Sequence, residues 1–263
     1  MKKGESLEDT VRTLTSYCDA VVLRHPSKGS ADQAVVVSSK PIINAGDGTG
    51  EHPTQALLDL YTIQSELGRI GGESKDKPMV VTMLGDLKNG RTVHSLAKLL
   101  GQFENIKIQY VAPDVLVMPD EVRFRCISTI NPNYYPFLPV YYLCNNSSHS
   151  LQVKSQICEG VEQVSGLNLD EAIGNTDVLY VTRIQKERFE SEEAYNSVAG
   201  SYCVDMNMMS KAKKRMIVMH PLPRVAEIHT DVDNDPRAVY FRQMENGMYM
   251  RMAILSKLIL GMI

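Results

Sequence analysis

The sequence predicts an α/β protein built from two parallel-sheet halves, and three observations carry that prediction. The run Met79 to Leu84 is apolar without alternation, the pattern of a strand buried on both faces. It leads through a polar loop into a helical stretch and then a second apolar run, Ile106 to Val111, an order that implies a parallel pair joined by a right-handed crossover. The same unit, an apolar strand running into a polar loop, returns at Asp177 to Thr182 and at Met216 to Met219. The 263 residues are 43% hydrophobic and 22% charged, ordinary globular usage that excludes disordered and low-complexity classes.

Each element has its own justification. Ser6 to Tyr17 suits a helix with Ser6 as its cap and acidic residues in the first turn. Asp19 to Leu23 is a short buried strand that stops at Arg24-His25-Pro26. Pro41 to Ala45 is another, followed by a tight loop containing Gly46, Gly48 and Gly50. Pro53 opens a helix that runs to about Leu67, with Ala56, Leu57, Leu60 and Ile63 on one face. Gly71-Gly72 and the polar residues up to Pro78 read as a linker. Gly85 to Gly90 is a loop, Thr92 to Leu100 a helix, and Arg237 to Leu260 a long final helix. Cys126 to Val153 fits no element. It has no charged residue, yet holds four of the twelve tyrosines and three of the twelve prolines. A structureless loop of that length is rare in a compact domain.

Composition narrows the function classes. A net charge of −3 gives no general drive toward nucleic acid or an anionic membrane, and no apolar run is long enough to span a bilayer. Five cysteines at irregular spacing, without a CxxC pair, point to a reducing compartment, so a cytoplasmic location is expected. The six histidines show no paired metal-ligand spacing, so neither a metal nor a cofactor is expected.

In parallel α/β sheets, ligands bind beyond the carboxyl ends of the strands. The residues there are Arg24-His25-Pro26, the loop before His52, Gly85 to Arg91, Thr182 to Gln185, and His220 to Arg224. Arg24, Arg91 and Arg183 thus reach the rim, and guanidinium forks match carboxylate and phosphate oxygens. With His52 and Gln55 they suggest a small, multiply anionic substrate. His52 is equally readable as a helix cap, and each arginine as a surface ion pair. His94 reads as structural. Gly85 to Thr92 nearly matches the phosphate loop of nucleotide hydrolases, but Arg91 replaces its lysine and Asp86 adds a negative charge. Asp231, Asp233 and Asp235 alternate like a calcium loop yet lack its glycine and distal glutamate, so they read as turn and cap residues.

Several segments together resemble one family. They are Lys2-Lys3-Gly4-Glu5-Ser6-Leu7, Arg24-His25-Pro26, Asn44-Ala45-Gly46-Asp47-Gly48, His52-Pro53-Thr54-Gln55, Gly85-Asp86-Leu87, Gly90-Arg91-Thr92-Val93-His94-Ser95, Thr182-Arg183-Ile184-Gln185-Lys186-Glu187-Arg188 and His220-Pro221-Leu222-Pro223-Arg224. In content and order they resemble aspartate carbamoyltransferase, over nearly the whole chain outside 124–160. Asp235 to Tyr249 is most similar to the transcarbamoylase portion of animal multifunctional pyrimidine-synthesis polypeptides. Ornithine carbamoyltransferase, the nearest relative, typically has a cysteine where Pro221 stands, and the pair Arg91 and Arg183 suits a dicarboxylate better.

The resemblance implies two domains of the carbamoyltransferase type: a carbamoyl-phosphate domain of residues 1–67 plus 229–263, and an aspartate domain of 68–228 with an atypical insertion at about 124–160. It implies transfer of a carbamoyl group from carbamoyl phosphate to L-aspartate in pyrimidine synthesis. Arg24 and His52 would polarise the carbonyl oxygen. Gln55 and the carbonyls of Pro221 and Leu222 would hold the carbamoyl NH2. Arg91 would take the α-carboxylate, and Arg183 with Gln185 the side-chain carboxylate. Lys3 would reach a neighbouring subunit's site in a homotrimer.

Two departures accompany it. The family carries a further segment ahead of this Lys-Gly-Glu, with a Ser-Thr-Arg-Thr-Arg phosphate loop that the sequence lacks. The serine that accompanies the mobile-loop lysine is also absent. The chain is therefore expected to be an N-terminally truncated form with an incomplete first domain and little or no transcarbamoylase activity. The alternative is a non-catalytic fragment that binds anions or partner subunits. The second departure is residues 124–160: the family pattern reads smoothly from Glu121-Val122-Arg123 to Val161-Glu162-Gln163 when they are skipped, as translated intron or a gene-model error would leave it.

Overall fold

The computed structural model describes residues 4–123 and 161–261. Lys3 and the atypical 124–160 stretch lie outside the described residues.

Helix α1 (Leu7–Thr15) starts on Ser6, whose hydroxyl accepts the Asp9 N–H, with Glu8 and Asp9 in its first turn. Strands β1 (Val21–His25) and β2 (Ile42–Asp47) form a small parallel sheet. Both extend past their predicted ends. A register shift between Leu23 and His25 keeps β1 paired up to His25, opposite Asp47. Arg24 therefore belongs to the strand, not to the loop after it. Between them lies α2 (Ser30–Val37), which the sequence reading does not anticipate. It is preceded by Gly29 in a left-handed conformation and has no side-chain cap.

Helix α3 (Pro53–Leu67) leads to β3 (Met79–Leu84), α4 (Arg91–Leu100), β4 (Ile106–Val111) and α5 (Asp120–Arg123). Beyond residue 160 follow β5 (Glu162–Ser165), α6 (Leu169–Ile173), β6 (Val178–Val181), α7 (Glu192–Asn196), α8 (Met206–Lys211), β7 (Ile217–Met219) and α9 (Tyr240–Leu260). The second sheet is parallel throughout, in the order β5-β4-β3-β6-β7. Both β3 and β4 occupy the predicted residues. The last helix begins at Tyr240 instead of Arg237, because the Arg237 guanidinium ties residues 235–237 into a turn through Asp235 and the carbonyls of Met209 and Lys213.

The two faces of this sheet separate by strand alternation. Met79, Val81, Met83, Ile106, Ile108, Val178, Tyr180, Ile217 and Met219 pack with α3, α4 and α9. Leu84, Val111, Leu179, Val181 and Val218 pack on the other side, with α6 and α8. That second face also buries a polar layer. Thr82 donates to Gln109 at 2.9 Å and meets Thr176 at 2.6 Å. Helix α9 returns to lie on α3, joined by Gln243 to Asp59, Asn246 to Thr62 and Arg242 to Glu66. No helix among the described residues is long and apolar enough to cross a membrane.

The strand order reverses between β3 and β6, so the crevice at their carboxyl ends is a topological switch point. The loops after β3, β6 and β7 all open there.

Candidate anion-binding site

The loop after β2 is held by one buried carboxylate. Asp47 accepts the Gly29 N–H at 2.7 Å through one oxygen and the Glu51 N–H at 2.7 Å through the other. This staple brings Gly46 under the first residue of α4. Gly46 has φ +113°, and a side chain there would collide with the Arg91 guanidinium at 2.7 Å. Arg91 also donates to the Gly48 carbonyl at 3.0 Å.

His52 follows in the same loop and is buried, at 8% exposure. Its side chain makes no helix-capping hydrogen bond. Its backbone N–H donates to the Ser95 hydroxyl at 2.9 Å, Ser95 donates to Glu51, and Glu51 also pairs with Lys98. Thr54 Oγ1 lies 3.3 Å from Nδ1 of His52, so a proton donated there leaves the imidazole hydrogen on Nε2. Burial, then the charges of Arg91, Arg251 and Arg24, lower the His52 pKa to about 3. The imidazole is therefore neutral near pH 7, a donor that carries no charge. Arg91 in turn is destabilised as a cation by burial, Arg24 and Arg188. Positive charge outnumbering the nearby carboxylate of Asp47 is gathered around one neutral histidine, which suits a multiply anionic ligand.

A second group lies beneath. Asp59, on α3, is fully buried and accepts hydrogen bonds from Gln55 Nε2 (2.9 Å), Tyr180 Oη (2.8 Å) and Gln243 Nε2 (2.6 Å). Gln243 Oε1 accepts the His220 backbone N–H at 2.9 Å. His220 Nδ1 accepts the Leu222 N–H at 2.8 Å, and Nε2 donates to Glu227 at 2.7 Å. Leu222 sits at φ +52°, an unusual conformation for a leucine, which the His220 contact helps to impose.

Arg24, His52 and Arg91 are thus brought together, and Gln55 is joined to the Pro221-Leu222 loop through Asp59 and Gln243. Arg183 keeps different company. Its guanidinium forms a two-pronged pair with Glu187, and its other charged neighbours are Glu227 and Asp86. Gln185 lies partly buried beside it, at the end of β6.

The two rival motifs dissolve. In the loop after β3, the N–H groups of Leu87 and Lys88 go to the Leu116 carbonyl, that of Asn89 to Asp86, and that of Arg91 to the Asn89 carbonyl. These amides are not free to cradle a nucleotide phosphate. Asp231, Asp233 and Asp235 pair with His229, Arg224 and Arg237. Among the described residues no group of three His, Cys, Asp or Glu is placed to hold a metal ion. His94 donates to the Leu87 carbonyl at 2.7 Å, which is the structural role expected of it.

Sequence reasoning missed Arg251, Arg188, Ser95 and Asp59. Arg251 comes from the far end of the chain, and no local pattern marks it. Asp59 had a signal: an acidic residue four after Gln55, next to the apolar face of Ala56, Leu60 and Ile63, invites a buried partner.

Fold and site together define a parallel α/β protein with cationic side chains gathered at its strand ends. Residues 1–65 match the family model for the carbamoyl-P binding domain of aspartate/ornithine carbamoyltransferase, and residues 77–258 the model for its Asp/Orn binding domain. The chain belongs to the aspartate/ornithine carbamoyltransferase family. It is 50% identical over 256 residues to the multifunctional protein CAD of Squalus acanthias, and 48% identical over 254 residues to the multifunctional protein pyr1-3 of Dictyostelium discoideum. Each alignment covers 97% of this chain and 10% of the relative, so the chain spans about a tenth of the length of those proteins. Among solved structures it is similar to the aspartate transcarbamoylase of Trypanosoma cruzi in complex with carbamoyl phosphate and aspartate. The TM-score is 0.77 at 46% identity, over 97% of this chain and 71% of that one.

Proposed function

We propose that the chain is an aspartate carbamoyltransferase, or the transcarbamoylase part of a longer protein. It would convert carbamoyl phosphate and L-aspartate to N-carbamoyl-L-aspartate and phosphate in de novo pyrimidine (UMP) synthesis. The observation that carries this reading is the neutral, buried His52 surrounded by Arg24, Arg91 and Arg251.

In this reading Arg24 and the Nε2–H of His52 donate to the carbamoyl carbonyl oxygen, where negative charge grows as the aspartate amine attacks the carbon. The new bond is N–C. The bond that breaks joins the carbonyl carbon to the oxygen bridging it to phosphorus, and its electron pair leaves with phosphate. His52 is too weak a base to collect the amine proton; the departing phosphate is basic enough to take it. Gln55 and the carbonyls of Pro221 and Leu222 hold the NH2. Arg91 holds the α-carboxylate, and Arg183 with Gln185 the side-chain carboxylate. The aspartate-binding domain of 68–228, the carbamoyl-phosphate domain of 1–67 plus 229–263, Lys3 acting in a neighbour's site, a homotrimer and a cytoplasmic location all belong to the same proposal. The sequences of relatives that are aspartate enzymes, and Pro221 in the late motif, favour aspartate over ornithine.

The test is calorimetric titration with N-(phosphonacetyl)-L-aspartate, which joins both substrates in one molecule, beside an assay for carbamoyl-aspartate. Binding displaced by carbamoyl phosphate is expected. No binding, or equal binding of an ornithine-based analogue, would reject the reading. Little or no turnover is expected of the chain itself, which lacks the phosphate loop, and binding without turnover in a form extended by that segment would identify the non-catalytic alternative.

A further inference from the structure

We propose that Asp59 is a positioning residue that sets the polarity of the carbamoyl NH2 site and so separates a carbamoyl from an acetyl group; this rests on the transcarbamoylase reading above. The hydrogen-bond directions around Asp59 are forced one after another. A backbone N–H can only donate, so the atom of Gln243 that faces the His220 N–H at 2.9 Å is its oxygen. The amide nitrogen of Gln243 then points the other way, at Asp59 Oδ1, 2.6 Å distant. Oδ1 already accepts from Gln243 and so carries no proton in either state of the carboxyl, and Gln55 therefore also presents nitrogen to it, at 2.9 Å. Tyr180 donates to the remaining oxygen at 2.8 Å. With Nε2 committed to Asp59, the other end of the Gln55 amide is oxygen.

Asp59 and Gln243 are fully buried, and His220 and Gln55 nearly so, which keeps bulk solvent from satisfying a reversed amide. One carboxylate thereby ties both sides of the NH2 site together: the Gln55 side chain from α3 and, through Gln243 and His220, the Pro221-Leu222 backbone after β7. Acceptors on both sides suit an NH2 group with two hydrogens. A methyl group in its place leaves them unpaired, and sites built to bond a substrate N–H reject analogues that lack it.

The experiment measures dissociation constants of phosphonoacetamide and acetonylphosphonate, which differ only in NH2 against CH3, with inorganic phosphate as a control. The wild-type chain should prefer the amide by about tenfold to a hundredfold. Asp59→Leu removes both acceptor oxygens and should bring the ratio close to one while phosphate binding stays unchanged. If it does not fold, Asp59→Ser should lower the ratio, because its hydroxyl can donate as well as accept and no longer dictates the Gln55 orientation. Asp59→Asn should keep the wild-type ratio. Its oxygen can serve both glutamines while its NH2 turns to the Tyr180 oxygen, a rescue that loss of packing alone does not predict. A wild-type ratio near one overturns the inference without recourse to any variant, as does an unchanged ratio in Asp59→Leu or Asp59→Ser. Failure of the wild-type chain to bind phosphate or phosphonoacetamide overturns the functional reading and this inference with it.

Discussion

A buried histidine ringed by arginines and a surface arginine paired with a glutamate call for different tests. In the proposed reaction the Nε2–H of His52 donates where charge develops, so in a form extended by the family's phosphate-loop segment His52→Ala should lower turnover by about 10²–10³. Steady-state kinetics with both substrates saturating would check this, and an unchanged rate with lowered thermal stability would return His52 to a structural role. Arg183 already grips Glu187, so a substrate carboxylate must share or replace that partner. In the same extended form, Arg183→Ala should raise half-saturating aspartate far more than half-saturating carbamoyl phosphate. Loss of a two-pronged charged contact costs about 2–5 kcal/mol. Equal effects on both substrates would count against the assignment. The convergence of Arg24, His52 and Arg91 was legible because the strand ends of a parallel sheet share one rim. Arg251 was not, because its approach to His52 depends on how α9 folds back over α3.

Legibility among the elements followed burial. The strands β3 and β4 could be placed to the residue because both faces are covered and the apolar run has sharp ends. Short helices on the rim escaped. Helix α6 is five residues long and has no room for an amphipathic period. Its one sequence signal is the reciprocal cap, in which Asn168 accepts the Glu171 N–H at 2.9 Å and the Glu171 carboxylate accepts the Asn168 N–H at 3.0 Å. That cap does what propensity cannot in so short a helix. Asn168→Ala should lower stability by about 1 kcal/mol in urea unfolding, with activity unaltered. The exposed Arg242–Glu66 bridge between α9 and α3 is a contrasting case. Glu66→Gln should cost less than about 1 kcal/mol, because exposed ion pairs contribute little.

At the scale of the whole molecule, two buried groups titrate in opposite directions. Asp59 lies where α3, β6 and α9 meet. Burial raises its pKa to about 7, against hydrogen bonds from Tyr180, Gln243 and Gln55 and the charge of Arg251, which lower it. Between the ordinary carboxyl value of 3.8 and about 7 the folded chain holds a proton that the unfolded chain has released, so Asp59 makes stability fall as pH rises through that window. For His52 burial, Arg91, Arg251 and Arg24 act the other way, with only Asp47 opposing. The unfolded chain takes up a proton below 6.5 that the folded chain refuses until about 3. His52 therefore makes stability rise with pH across that window. Each slope is about 1.4 kcal/mol per pH unit at its steepest. The windows overlap from about pH 4 to 6.5, so in the wild-type chain the two contributions largely cancel there. Single variants should expose them. Relative to wild type, Asp59→Asn should gain stability with rising pH over this range, and His52→Gln should lose it. The pair of variants would be followed by urea unfolding at several pH values between 4.5 and 7.5. Parallel curves for Asp59→Asn and wild type would mean that Asp59 stays ionised throughout, held so by its three donors. Parallel curves for His52→Gln would mean that the arginine cluster does not keep the imidazole neutral.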